Sequence, residues 1–322
     1  MRSFLKRAEM FEFIDLFSGV GGFHMAAKKL GGSCVLACDI DPEARAIYKL
    51  NYGIEPHHDI NKLLPSSLPD ADFLFAGFPC QAFSSIGDRG GTSVAKGRLF
   101  YRMVKLIKHA NKRPDTLIFE NVKGLVYMDN GKVLMKFVNM IKKLGYNVAY
   151  RVLDAAQFKC PQHRERVYIV ASLNSPVAHI ENIFDKIDKP VSRFTPFSSV
   201  FDKSLTPDTA NRITRFDGHI KEGYVKPTKT GAILRAKLNN FIDKKLYSSD
   251  GTVGTLCATY TPAIYDERFE MARHMTIKEM KSCQGFSALK TGDFQARTVG
   301  RFMGNAVNVN VVYALLKATM QK

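Results

Sequence analysis

The sequence has no CxxC pair, and its six cysteines follow no regular spacing. That pattern argues against a disulfide framework. Cys34, Cys38 and His57/His58 have the wrong spacing for a common structural zinc site, so no metal is expected. No apolar run approaches the roughly 18 residues of a membrane span. The stretch Met1-Arg2-Ser3-Phe4-Leu5-Lys6-Arg7 is charged but lacks a following apolar region, so it does not read as a secretory signal. There is no internal repeat and no low-complexity tract. Acidic residues are scarce, with 30 Asp and Glu against 47 Lys and Arg, a net charge of +17 over 322 residues. That excess favours a polyanionic partner, because neutralising phosphates releases condensed counterions. A basic surface serving only solubility would carry the same number.

What is present is an alternation. Phe13–Phe17 reads as a strand, and Phe23, Ala26, Ala27 and Leu30 then repeat at helical spacing until Gly31-Gly32. Cys34–Cys38 is a second strand, followed by a helix capped by Asp41 with Pro42 in its first turn. Strands are predicted at Phe73–Ala76 and Thr116–Phe119, with helices over Leu99–His109 and around Leu134–Ile141. Two further strand runs, Tyr146–Leu153 and Val167–Ala171, are joined by too short a stretch for a helical crossover. The order predicts an α/β fold: a mostly parallel sheet with an antiparallel hairpin at its edge. After about residue 175 prolines and basic residues dominate and strand signals weaken. Residues 176–272 read as a small irregular second domain. Residues 1–175 and 273–322 form the first, with Asn308–Ala318 returning as a helix.

Four constellations could carry chemistry. The turn Phe17-Ser18-Gly19-Val20-Gly21-Gly22 joins the first strand to the first helix, and Asp39 ends the second strand. A carboxylate there can accept from both ribose hydroxyls of a nucleoside. The pattern is not GxGxxG, so a nucleoside without a pyrophosphate fits better, with Asp59 as a further polar contact. A plain strand-to-helix turn would look the same. Cys80 follows Pro79 at the carboxyl end of the third strand and leads into Gln81–Gly91, which has the composition of a mobile loop. A thiolate there would be a nucleophile; alone, such a cysteine more often reads as inert. Glu120 ends the fourth strand, where desolvation would favour a protonated acid, although a helix cap or surface acid is the plainer alternative. Arg164 and Arg166 alternate along an extended segment, as two arginines facing one anionic or carbonyl-rich ligand would. A solvated edge strand would read similarly.

GVGGF, GFPCQAFS, GRLF, FENV, QHRER and GNAV occur in this order. Together they resemble the DNA (cytosine-5) methyltransferases of restriction-modification type. The matched motifs cover Phe13–Ala171 and about Arg273–Val309, and the stretch between falls where that family keeps its target-recognition region. The resemblance implies a Rossmann-like, S-adenosylmethionine-dependent methyltransferase fold beside a small DNA-reading domain. It implies Cys80 as nucleophile, Glu120 as the acid at the cytosine ring, and Arg164 and Arg166 as the pair holding the base oxygen. It implies cofactor contacts by Phe17, Gly19, Gly21, Gly22, Asp39, Ile40, Asp59, Ile60, Pro79, Leu99, Asn305 and Val307. It implies DNA contacts by Gln81, Ser84, Ser85, Arg98, Asn121 and Thr255, and a structural role for Glu279.

The expected reaction moves a methyl group from S-adenosylmethionine to C5 of a flipped-out cytosine in duplex DNA, leaving S-adenosylhomocysteine. The expected enzyme is a cytoplasmic or nucleoid-associated monomer, with a cognate endonuclease as a possible companion. A tRNA cytosine-5 methyltransferase is the alternative on the same fold, though its Cys-Phe-Thr tripeptide is absent. A silent DNA-binding module conflicts with the intact Cys80, Glu120 and Arg164. A nicotinamide-dependent dehydrogenase has only the glycine turn in its favour.

Overall fold

The computed structural model describes residues 10–79, 93–189, 191–220, 231–238 and 245–321, with only the backbone of 93–98. Cys80, Gln81, Ser84 and Ser85 lie outside the described residues, as does the Arg98 side chain. The chain divides into two compact units.

The first unit comprises Met1–Val152, Arg166–Ile187 and Val312–Lys322. Its sheet contains β1 (Phe11–Leu16), β2 (Gly32–Cys38), β3 (Phe73–Ala76), β4 (Thr116–Val122), β5 (Asn147–Asp154) and β6 (Glu165–Ser172). The strand order is β2-β1-β3-β4-β6-β5. β1 pairs in parallel with β2 and β3, and β3 with β4, whereas β6 runs antiparallel to β4. All four residues of β3 are buried, as are the first six of β4. That burial is expected of central strands covered on both faces. The helices are α1 (Gly22–Lys28), α2 (Pro42–Tyr52), α3 (Ser93–Lys108), α4 (Lys132–Lys142) and α5 (Val177–Ile187). Asp41 caps α2 by accepting from the backbone N–H groups of Glu43 and Ala44, as its sequence position predicts. Phe100, Met103 and Ile107 of α3 and Leu134, Phe137 and Ile141 of α4 join Leu74 and Ala76 of β3 and Leu117 and Phe119 of β4 in one apolar core.

The parallel pairing positions the chemistry. In the β3–β4 register Ala76 stands opposite Phe119. The Phe78-Pro79 continuation of β3 and Glu120 therefore lie at the same edge, the carboxyl end of parallel strands where such folds place ligands.

The second unit comprises Leu153–Glu165 and Asp188–Val311. The sequence reading drew its boundaries at 176 and 272. The difference arises because α5 packs with the first unit, while 273–311 pack with the second. This unit contains a sheet of β7 (Leu234–Lys237), β8 (Lys245–Ser248), β9 (Ala263–Asp266) and β10 (Met271–Arg273), ordered β10-β9-β8-β7. Strands of three or four residues among lysines and prolines are too short to show an alternating pattern. The stretch reads as irregular from sequence for that reason. Two helices follow, α6 (Ile277–Cys283) and α7 (Ala296–Asn305), and then α8 (Val309–Met320), whose residues from Val312 onward belong to the first unit.

A buried ion cluster braces the second unit. Arg273, Asp266 and Glu279 are all fully buried. The Arg273 guanidinium donates to Asp266 at 2.7 Å and to both carboxylate oxygens of Glu279 at 2.8 and 2.7 Å. Glu279 also closes the capping box of α6 with Thr276. Its structural role thus has a geometric basis, linking the last strand of the sheet to the helix that follows. Burial pushes the Asp266 carboxyl up, but hydrogen bonds from Arg268 and Arg273 outweigh it and hold the group below its ordinary value of 3.8. Asp266 therefore contributes stability that is present above about pH 4 and lost as the pH falls through its lowered folded value. Arg273→Leu would leave the buried Glu279 without its cation and Asp266 with Arg268 alone, and should cost about 3–5 kcal/mol in urea denaturation. The variant should also show a shallower acid limb than the wild type.

Candidate active site

The glycine turn is shaped by its backbone. Phe17, Gly19 and Gly21 all have positive φ, at 55°, 53° and 86°. The Ser18 N–H donates to the Cys38 carbonyl at 3.0 Å, and the Gly19 N–H to Asp39 Oδ2 at 2.7 Å. The other Asp39 oxygen accepts from the Asp41 N–H at 2.8 Å, and Arg45 donates to the main-chain carbonyls of Asp39 and Ile40. The end of β2 is thereby fixed beside the turn that follows β1. Burial raises the Asp39 carboxyl above its ordinary value, against the lowering by its two backbone donors. Each of its oxygens keeps a lone pair for a further donor. Ile40 is 72% exposed. Asp59 is half-buried and accepts from both nitrogens of Asn61. Ile60 is buried and Leu99 packs on the core. Pro79 is exposed.

A buried polar cluster under this turn escaped the sequence reading. Asp15, in the middle of β1, is fully buried and accepts from the Tyr48 hydroxyl at 3.4 Å. That hydroxyl lies 2.7 Å from His24 Nδ1, and the His24 ring stacks on Tyr52 at 3.8 Å. Tyr52 donates to the Gly21 carbonyl at 3.0 Å. Burial pushes Asp15 well above 3.8, and pushes His24 down to about 4. The cluster is thus a neutral, hydrogen-bonded support for the turn. The available signals were an acid inside the apolar run Phe13–Phe17 and two tyrosines four residues apart on α2.

Among the described residues, Ser18 Oγ is buried and meets no hydrogen-bond partner. A buried hydroxyl without a partner is costly. Together with the open space beside Gly19 and the Asp39 carboxylate, it fits a polar, nucleoside-like group lying on this turn.

The second constellation lies at the end of β4. Glu120 is buried, and the Arg166 Nε lies 3.2 Å from its Oε1. In the β4–β6 register Val122 faces Arg166 and Glu120 faces Tyr168, so the acid and the arginine are diagonal neighbours. The apolar setting anticipated for Glu120 thus includes a cation from the antiparallel strand. Asn121 is buried, and its Nδ2 donates to the Phe78 carbonyl at 2.9 Å. Its amide ties down the backbone leading to Cys80 rather than being displayed to a ligand.

Arg164 differs from the expectation of two arginines on one ligand. It precedes β6, so strand alternation does not govern it. Its buried guanidinium donates to the main-chain carbonyls of Leu256, Gly304 and Ala306 at 2.9, 3.0 and 2.9 Å. It binds the Thr255-Leu256 pair to the end of α7, where Asn305 is exposed and Val307 buried. The Thr255 hydroxyl donates to the His163 carbonyl at 2.8 Å. Gln162 joins this lattice by accepting from the Leu256 N–H at 2.7 Å.

A mostly parallel sheet with one reversed strand, a glycine turn and an acid ending the next strand define an S-adenosylmethionine-dependent methyltransferase fold. Two solved structures share it. The Dnmt2 methyltransferase of S. pombe has a TM-score of 0.75 at 20% identity, covering 96% of this chain and 98% of that one. A putative DNA modification methyltransferase encoded within an E. coli prophage has a TM-score of 0.68 at 18% identity, covering 96% and 98%.

The chain belongs to the C-5 cytosine-specific DNA methylase family, whose model matches residues 11–321. Type II methyltransferase M.MspI of Moraxella sp is 34% identical over 94% of this chain and 68% of its own length. M.DsaV of Dactylococcopsis salina is 32% identical over 94% and 84%. M.NgoBI of Neisseria gonorrhoeae is 31% identical over 96% and 92%. The protein is therefore a C-5 cytosine DNA methyltransferase of the kind found in Type II restriction-modification systems.

A Cβ at Gly21 would stand 2.3 Å from the Tyr52 ring, on backbone with φ +86°. Gly21→Ala should lose about 2 kcal/mol or more from strain and overpacking. It should also weaken S-adenosylhomocysteine binding by calorimetry. Asp15 keeps its proton when folded and loses it when unfolded, so stability falls as the pH rises above 3.8 towards its raised value. Asp15→Asn should remove that slope in a series of melts from about pH 5 to about pH 8.

Proposed function

We propose that this enzyme transfers a methyl group from S-adenosylmethionine to C5 of a flipped-out cytosine in a specific duplex sequence, through a transient bond between Cys80 and C6. The observation that carries the reading is the pairing of the buried Glu120 on β4 with Arg166 on β6. It lies beside the backbone that leads from β3 to Cys80, to which Asn121 is hydrogen-bonded.

S-Adenosylmethionine, when bound, supplies an electrophilic methyl group on its sulfonium. The residues that would hold it in the first unit are Phe17, Gly19, Gly21, Gly22, Asp39, Ile40, Asp59, Ile60, Pro79 and Leu99. Asn305 and Val307 are the candidates in the second. Asp39 would accept from the ribose hydroxyls, and Ser18 gains a partner for its buried hydroxyl.

C5 of cytosine is a poor nucleophile. Attack of the Cys80 thiolate on C6 pushes the ring electrons towards N3, where Glu120 delivers a proton. C5 is then enamine-like and takes the methyl group. Solvent water takes the C5 proton, the freed electron pair expels the Cys80 thiolate and restores the ring, and N3 returns its proton to Glu120. Arg166 keeps Glu120 in place and is positioned to donate to the base oxygen. Arg164, the other arginine proposed for catalysis, also holds the Thr255-Leu256 pair to the end of α7. A base inside the stack cannot be reached by a thiolate, so the cytosine is everted, at a cost of a few kcal/mol. Gln81, Ser84, Ser85, Arg98 and Thr255 are the proposed DNA contacts.

Double-stranded DNA is the proposed substrate, and an endonuclease cutting the same sequence is the proposed companion. The enzyme is proposed to work as a monomer in the compartment holding the DNA; no helix among the described residues is long and apolar enough to cross a membrane. The Type II relatives at 31–34% identity favour DNA over tRNA.

Bisulfite sequencing of DNA from expressing cells should show one methylated sequence context. On a duplex of that sequence carrying 5-fluorocytosine, the enzyme and its methyl donor should form a covalent adduct mapping to Cys80. Cys80→Ser should bind the duplex but transfer no methyl, and Glu120→Gln should slow transfer by about 10²–10⁴-fold. Near-normal turnover by Cys80→Ser would remove the covalent mechanism.

A further inference from the structure

Within the second unit, Gly300 and Gly304 lie one turn apart on α7. A Cβ at 304 would fall 2.1 Å from the carbonyl carbon of Cys257, and one at 300 would lie 3.9 Å from the Thr261 side chain. The helix backbone and the segment 257–261 therefore lie directly against each other. That segment is a closed turn: the Cys257 N–H donates to the Tyr260 carbonyl at 2.8 Å, and the Tyr260 N–H to the Cys257 carbonyl at 3.2 Å.

Beside this contact is a cavity of about 720 Å³, lined by Arg297, Arg301, His274, Thr259, Tyr260 and Asn211 among others. No carboxylate is among its described lining residues. Arg297 is exposed, and the Arg301 guanidinium lies 4.4 Å from the Phe302 ring centroid. The two arginines are four residues apart, hence on one face of the helix and separated by about 6 Å along its axis. Burial lowers the His274 pKa, and the charge of Arg215 adds to it as the lesser cause. The polar part of this wall is two guanidiniums, hydroxyls, an imidazole and an amide with no described acid, beside an apolar part that includes Met275 and Met280; its donors suit phosphodiester oxygens. α7 lies outside the stretch 176–272 that the sequence assigned to DNA recognition.

We propose that Arg297 and Arg301 of α7 grip the phosphate backbone of the DNA substrate, forming a sequence-independent anchor that holds the 257–261 turn against the duplex. The inference rests on the DNA reading above and adds a site to it. Contacts of this kind position a protein on the duplex without reading bases.

The test is a fluorescence-anisotropy titration with a short duplex of mixed sequence, from about 50 to about 200 mM salt. Each lost phosphate contact should lower the slope of log K against log salt by about 0.9. The double variant Arg297→Gln/Arg301→Gln should therefore lose about 2 from the slope, and bind about tenfold or more weakly at the lower salt. Arg297→Lys/Arg301→Lys should keep most of the slope. S-Adenosylhomocysteine binding by calorimetry should stay at the wild-type value, since neither arginine is assigned to the cofactor. If the double variant misfolds and loses that binding, the exposed single variant Arg297→Gln decides, with an expected loss of about 1. A correctly folded double variant with the wild-type slope and affinity overturns the anchor and leaves the methyltransferase reading standing. A wild-type enzyme with no affinity for duplex DNA overturns both.

Discussion

Asn121 stands between Glu120 and Val122 at the end of β4, and its side-chain amide donates to the carbonyl of Phe78. Successive residues of a strand face opposite sides. Glu120 can therefore meet Arg166 while its neighbour holds the continuation of β3. One strand end thus fixes two things at once: the acid, through a cation from the antiparallel β6, and the backbone from which Cys80 departs. The amide is buried, so a broken bond would leave it unsatisfied at a cost of about 1–3 kcal/mol. The rest of the first unit serves this junction. The parallel register of β3 and β4 brings both ends to one edge, and the aromatic core of Phe78, Phe100, Phe119 and Phe137 packs beneath it.

The glycine turn is built on the opposite principle, with polar groups buried beneath its backbone. Asp15, Tyr48, His24 and Tyr52 form a chain of contacts ending on the Gly21 carbonyl. None is offered to a ligand. Burial favours the neutral forms of both Asp15 and His24, so the cluster supports the turn with little charge. Asp39, by contrast, is set at the lip, each oxygen half-used by a backbone N–H. The turn is thereby rigid before anything binds, which is how preorganisation strengthens binding.

In the second unit, long polar side chains hold distant segments by their main-chain carbonyls. Arg164 reaches Leu256, Gly304 and Ala306, while Gln162 and Asn308 both donate to the Cys283 carbonyl. A unit whose sheet has strands of three or four residues offers few ladder bonds, and these side chains take over part of that work. Arg273, with Asp266 and Glu279, does the same with charge. The motif residues Gln162 and Arg164 thus have structural partners among the family segments around Thr255 and Asn305.

The apolar periodicity of residues 11–171 was enough to read the strands, their helices and the hairpin at the sheet edge, because burial on both faces leaves uninterrupted apolar runs. The ordered motifs likewise made Cys80, Glu120 and Asp39 readable as candidates, since each falls at or just after an apolar strand-like run in the sequence. The small sheet β7–β10 was not readable, because its strands are too short to carry a period. Nor were the partners of the arginines. Arg164 and Arg166 are two residues apart in sequence and look equivalent, yet one is bound to main-chain carbonyls and the other to Glu120. Sequence alone determined which elements form and which residue types end them, because local burial patterns are written in adjacent residues. Only the tertiary structure decided which buried charge meets which partner, because those pairings join segments as much as 142 residues apart and depend on where the folded backbone leaves a carbonyl or carboxylate unsatisfied.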